Sequence, residues 1–176
     1  MSGHNKWSKI KHKKAASDAQ KSKVFSKHAQ LIAYESKRAN GDINSPGLRA
    51  AIEKAKKDNM PGDNITRAVK KGAGGDASSM ETVTYEAYGP GGVALVIEGI
   101  TDNKNRTGAE VKHALSARGY ELAAPGSALW AFEKDGSEWK ANTATPVSDE
   151  DGEKLSELIE TIEDLDDIQG VFTNAE

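Results

Sequence analysis

Apolar positions recur at helical spacing through the first part of the chain and at strand spacing through most of the second. Over 17–40 the pattern predicts a helix. Ser17 stands as its N-cap, with Gln20 three residues on as in a capping box. Val24, His28, Leu31, Ile32 and Glu35 follow one face, and Gly41 sits where a helix-ending glycine belongs. A second helix opens at Ser45-Pro46, a cap followed by proline at the first helical position. Its stripe is Leu48, Ala51, Ile52 and Ala55, and it ends near Asn59, before Pro61. A third starts from Asp63, runs through Ile65, Ala68 and Val69, and stops at Gly72. Three short helices with modest apolar faces make a small bundle.

After Gly72 the period changes. Thr82–Ala87 alternates, Gly89-Pro90-Gly91-Gly92 reads as a turn, and Val93–Ile100 is a nearly continuous apolar strand. The segment 101–106 reads as a loop, followed by a helix over about 107–118 that carries Val111, Ala114 and Leu115. A strand over Ala128–Phe132, a hairpin turn at Asp135-Gly136 and a short strand over Glu138–Lys140 come next. Ser148 and Asp151 form a capping box for a helix with Leu155, Leu158, Ile159, Ile162 and Leu165 as its stripe. Ile168–Thr173 closes as a strand. From Val93 the order is β-α-β-β-α-β, the split arrangement of a ferredoxin-like fold. The fold class is therefore α+β: an N-terminal three-helix bundle, then a ferredoxin-like domain with an extra N-terminal strand.

Charge sharpens the division. Residues 1–71 hold 17 basic and 6 acidic residues, +11, and residues 72–176 hold 7 basic and 21 acidic, −14; the net −3 conceals both. The sign changes at the Gly/Ser-rich segment 73–79, which composition alone marks as a linker. The expected organisation is a basic tail over 1–16, a helical domain over 17–72, the linker, and an α/β domain over 80–176. A basic half joined to an acidic half suggests a polyanion-binding surface on a body that does not itself attract the polyanion. Nucleic acid is the leading polyanion.

The candidate contacts follow from that. The tail, expected to be disordered until bound, carries His4, Lys6, Trp7, Lys9, Lys11, His12, Lys13 and Lys14, and a ring among lysines suits stacking beside phosphates. The helices add Lys21, Lys23, Lys54, Lys57, Arg67, Lys70 and Lys71. Lys104 and Arg106 are the one basic spot at the head of the acidic domain, ahead of a helix N-terminus, and form a candidate second contact. The cations are mostly lysine, which favours phosphate contact over base readout.

Other chemistries find little support. The chain has no cysteine, which excludes disulfides and thiolate chemistry. The glycine clusters at 72–75 and 89–92 lack the Lys-Ser/Thr of a phosphate loop. His4, His12, His28 and His113 have neither metal-site nor triad spacing, and the acidic run 149–167 contains an apolar stripe, so it reads as a solvated helix face. No cofactor, metal or small-molecule substrate is expected. With no secretory signal and no apolar run of membrane-spanning length, the chain reads as cytoplasmic, and a monomer is favoured.

Several ordered segments carry a resemblance. They are Gly3-His-Asn-Lys-Trp7 with Ile10–Ala15, Leu48–Ala55, Asn59-Met60, Tyr85–Gly92, Thr101–Thr107, Gly126-Ser127 with Phe132, and Glu163–Ile168. In these the chain resembles the YebC/PmpR family, which includes the mitochondrial translational activator of cytochrome c oxidase subunit I. The resemblance implies a three-helix domain, two α/β domains with the third inserted into the second, and a non-enzymatic role in gene expression. Some members are described as DNA-binding transcriptional regulators; others resemble ribosome-associated translation factors. Here only Glu133–Val147 stands where relatives carry the inserted domain. The expected function is a nucleic-acid-binding regulator, favoured as a ribosome- or structured-RNA-binding translation factor. The alternatives are DNA-binding transcriptional regulation and, less favoured, a protein-interaction adaptor.

Overall fold

The computed structural model describes residues 18–75 and 79–176. The chain divides into two compact units. One takes in the three helices, the chain up to Thr82 and Ile100–Lys104; the other takes in Val83–Gly99 and Asn105–Glu176.

The helices are α1 (Asp18–Arg38), α2 (Pro46–Lys57) and α3 (Gly62–Ala73). Ser17, the expected cap of α1, lies outside the described residues. Gly41 ends α1 as its position predicts: at φ 80° its N–H reaches back 2.9 Å to the Ser36 carbonyl, satisfying an orphan acceptor of the last turn. Pro46 opens α2, but the Ser45 side chain makes no capping bond. Instead the preceding turn is held by Asp42, whose Oδ1 accepts the Asn44 N–H at 3.0 Å.

Ile32, Leu48, Ala51, Ala55, Met60, Ile65 and Ala68 form the helical core. The buried face of α1 is rotated from the expected stripe. Val24 is exposed, while Ile32, Ala33 and Ser36 are buried and Phe25 and Ala29 pack beside them. The rotation follows from a close crossing with α3. Gly72 has no side chain where a Cβ would lie 2.6 Å from Ser36 Cβ and deep inside contact with the Ala33 carbonyl. Ser36 Oγ then donates to the Val69 carbonyl at 2.7 Å. Buried His28 ties α1 to the end of α2, its Nε2 lying 2.6 Å from Asp58 Oδ2.

In the second half the order is β1 (Glu81–Tyr88), β2 (Ala94–Thr101), α4 (Lys104–Ser116), β3 (Phe132–Asp135), β4 (Glu138–Ala141), α5 (Asp149–Glu163) and β5 (Ile168–Thr173). The fold is α+β, and the β-α-β-β-α-β order from β2 onward is present. Its strands are divided between two sheets: a three-stranded sheet in the order β1-β2-β5, and the β3-β4 hairpin. β2 runs antiparallel to β5, from Leu95 opposite Thr173 to Gly99 opposite Ile168. With β1 and β5 on its two edges, β2 has no free edge to accept the hairpin.

The hairpin serves the sheet in another way. Leu95 and Ile97 on one side of β2 meet Val111 and Leu115 of α4 and Leu155, Leu158 and Ile162 of α5. Ala94 and Val96 on the other side meet Ala128, Ala131 and Phe132, with Trp139 of β4 packed alongside. Burial on both faces is why β2 reads as an unbroken apolar run.

Two boundaries shift from expectation. A 3₁₀ turn at Leu129–Ala131 replaces the start of the strand expected over 128–132, which begins only at Phe132. Buried Glu86 of β1 causes this, accepting the N–H groups of Gly126 (2.6 Å), Ala128 (2.9 Å) and Leu129 (2.8 Å). Helix α4 starts at Lys104, three residues before the expected 107. Thr101 Oγ1 accepts the Asn103 N–H at 2.8 Å and turns the chain early. At α5 the expected cap forms, with Ser148 Oγ accepting the Asp151 N–H at 3.1 Å.

Gly72→Ala is expected to destabilise the helical unit by about 1–3 kcal/mol, because backbone must move to admit one methyl group. Gly62→Ala has nothing within 4 Å of its new Cβ and should be neutral or slightly stabilising. Urea unfolding of the two variants beside the parent checks the contrast.

Candidate nucleic-acid interface

Of the residues expected to meet nucleic acid, His4, Lys6, Trp7, Lys9, Lys11, His12, Lys13 and Lys14 lie outside the described residues. Lys21 and Lys23 are exposed on the first turns of α1, Lys54 and Lys57 on α2, and Arg67, Lys70 and Lys71 on α3. The fold brings three of them together. Lys21, Arg67 and Lys71 line an open groove of about 700 Å³ formed by faces of α1 and α3, where Phe25, Ala29 and Met60 supply apolar surface. Arg67 donates to the side-chain oxygen of Asn64, a neutral partner that leaves its charge uncompensated. Phe25 and Asn64 were not among the expected contacts. Phe25 falls four residues after Lys21, and that spacing places the two on one helix face.

The cations of the two halves differ in their partners. Six of the seven basic residues after position 79 are held by carboxylates. Lys104 Nζ lies 3.0 Å from Glu81, Arg118 2.9 Å from Glu157, Lys134 2.7 Å from Glu98, and Lys154 2.6 Å from Glu150. Lys140 pairs with Asp135, and that hydrogen bond raises its pKa above the ordinary lysine value. The bond between Lys154 and Glu150 likewise raises the lysine and lowers the glutamate. By contrast, among the described residues no carboxylate lies within ion-pair distance of Lys21, Lys54, Lys57, Arg67, Lys70 or Lys71. These charges are compensated only by solvent and counterions, the condition in which phosphate contact gains most from counterion release.

Lys104 and Arg106 differ from the helix-face cations in both place and partners. Both lie on the first turn of α4 and not in a loop ahead of it. Arg106 Nη2 is 2.8 Å from Asp167 Oδ2, and the same oxygen accepts the Thr107 hydroxyl at 2.7 Å. Asp167 is buried and Arg106 about half exposed. Arg106 is therefore anchored as the counter-charge of a buried carboxylate, 61 residues away in sequence. Lys104 pairs with an exposed carboxylate and stays exchangeable.

Elsewhere, Tyr88 and Trp130 form an exposed aromatic pair, with the indole N–H donating to the tyrosine oxygen at 2.9 Å. Among the described residues, no group of three or more His, Asp or Glu side chains is placed to hold a metal ion. No described helix is long and apolar enough to cross a membrane.

A basic helical half followed by an acidic α/β half, with the two-strand hairpin β3–β4 between α4 and α5, defines the class. Residues 5–75 match the family model described as the TACO1/YebC protein N-terminal domain. Residues 80–138 and 135–175 match that of the TACO1/YebC second and third domain. The chain belongs to the TACO1/YebC family. It is 45% identical over 169 residues to a probable transcriptional regulatory protein of Fervidobacterium nodosum, covering 95% of this chain and 66% of that one. It is 38% identical to a protein of the same description from Desulforamulus reducens, covering 100% of this chain and 99% of that one in an alignment of 240 positions. Since this chain has 176 residues, 64 of those positions lie opposite gaps. The crystal structure of a conserved hypothetical protein from Aquifex aeolicus superposes with a TM-score of 0.84 at 32% identity, covering 95% of each chain.

Arg106→Ala is expected to destabilise the fold by about 1–3 kcal/mol, since it leaves a buried carboxylate short of a donor. Lys104→Ala should change stability by less than about 0.5 kcal/mol, as for an exposed pair. Thermal and urea unfolding of the two single variants checks the difference.

Proposed function

We propose that this chain is a nucleic-acid-binding regulator of gene expression that acts without catalysing a reaction, its basic part over 1–72 making the contact and its acidic part over 80–176 serving as the body. The observation that carries this reading is the partition of cations. Lys21, Lys54, Lys57, Arg67, Lys70 and Lys71 on the helices have no carboxylate within ion-pair distance among the described residues, while six of the seven cations after position 79 are paired. A surface of uncompensated lysines attracts phosphate, and a body of paired charges with net −14 does not add to that attraction. The relatives' description as probable transcriptional regulatory proteins supports a regulatory role.

The target we favour is structured RNA or the ribosome in the cytoplasm, with the chain acting on translation as a monomer. Lysine predominates on the helix faces, which suits phosphate and shape recognition more than the reading of base edges in a major groove. Duplex DNA is the second reading, favoured by the relatives' names. Lys104 is retained as an auxiliary contact, because its exposed partner can give way to a phosphate. Arg106 supports that contact by holding the first turn of α4 in place.

Sedimentation of the tagged chain with ribosomes across a salt series, with duplex DNA as competitor, tests the target. Co-sedimentation that falls with salt yet persists against excess duplex is the expected result. Loss to a small amount of duplex favours the transcriptional reading. Replacing Lys54, Lys57, Lys70 and Lys71 by alanine should weaken binding and lower the salt slope by about 0.7–0.9 for each phosphate contact removed. An unchanged slope in a folded variant rejects the helix faces as the interface.

A further inference from the structure

We propose that the groove between α1 and α3 is a subsite for an unpaired nucleotide: a base lies against Phe25 and its flanking phosphates lie on Lys21, Arg67 and Lys71. This deepens the nucleic-acid reading above and rests on it.

Three features of the groove support this occupant. Its volume of about 700 Å³ falls within the range of about 300–1,000 Å³ usual for small-ligand sites. Its chemistry is divided, with apolar surface from Phe25, Ala29 and Met60 and three cations along its walls. Contact with a duplex backbone calls for cations on an accessible ridge and has no use for an apolar recess. A single-stranded segment offers both an exposed aromatic face and phosphates on either side of it. Finally, no carboxylate among the described residues lies within ion-pair distance of these three cations, so the single acidic residue lining the groove, Asp18, leaves an excess of positive charge there, and the partner of Arg67 is neutral.

Charge also argues against the nearest alternative occupant, the chain's own N-terminal segment. Residues 1–16 contain five lysines and no acidic residue, so a groove walled by lysine and arginine repels them. An acidic protein segment would satisfy the cations, but its carboxylate side chains offer no planar ring for the apolar surface.

Fluorescence anisotropy of the full chain at fixed salt tests the proposal. The probes are a short labelled oligonucleotide, single-stranded, and the duplex formed with its complement. Phe25→Leu keeps apolar bulk in the helical core and removes the aromatic face. It should weaken single-strand binding about fivefold or more, leave duplex binding unchanged and leave the salt slope unchanged. Ser22→Glu alters an exposed position lining the same groove and should weaken single-strand binding without touching the core. A Phe25→Leu variant that is folded by circular dichroism and binds the single strand like the parent overturns the subsite, as does an equal loss for strand and duplex. Competition by polyglutamate as strong as by unlabelled oligonucleotide overturns it in favour of an acidic protein partner. If the parent binds neither strand nor duplex, the nucleic-acid reading fails with it, an outcome distinct from failure of the groove alone.

Discussion

The close crossing of α1 and α3 is the constraint on which the basic half depends. It is possible because Gly72 presents no side chain to the Ala33 carbonyl, and it is fixed by the hydrogen bond from Ser36 to Val69. Once the two helices meet there, α1 must turn Ile32 and Ala33 inward and leave Val24 in solvent. The same rotation brings Phe25 beside Met60 and sets Lys21 in a common groove with Arg67 and Lys71. A single missing methyl group thus controls both the packing of the bundle and the spacing of the cations it displays.

The second half solves a different electrostatic problem. It carries three times as many acidic as basic residues, and most of its cations are used to neutralise neighbouring carboxylates. The pairs at the surface contribute little to stability. The Arg106–Asp167–Thr107 cluster differs because its carboxylate is buried, and a buried charge must be paired. Glu86 meets the same requirement without a cation, through three backbone N–H groups that shape the turn before β3. Asp167 thereby holds the first turn of α4, and Glu86 the turn that delays the start of β3.

The hairpin β3–β4 lies between α4 and α5, where the two stretches that match the family's second and third domain meet. It covers Ala94 and Val96, so the second face of β2 is buried by a short stretch of chain. Within β3 only Phe132 points inward, and its three successors are exposed. The core of this half is closed without further residues.

What the sequence determined by itself is local. Helix ends at Gly41 and Pro46, the Ser148 cap of α5, the turn at Gly89–Gly92 and the succession of helices and strands along the chain all arise from interactions between residues a few positions apart. Those are legible from spacing and residue type. The opposed charge of the two halves is likewise a property of composition, and the motifs that point to the family are runs of adjacent residues. The tertiary structure decided what depends on distant partners. Arg106 reads as a free cation until Asp167, far along the chain, is placed against it. Lys21 and Lys71 read as separate surface lysines until two helices cross. Spacing sets Val24 on the buried stripe of α1, and only packing against α3 leaves it in solvent and turns Phe25 toward the core instead. Local periodicity specifies that an element forms; which of its faces is buried, and which of its charges remain available to a ligand, is set by what the folded chain places opposite.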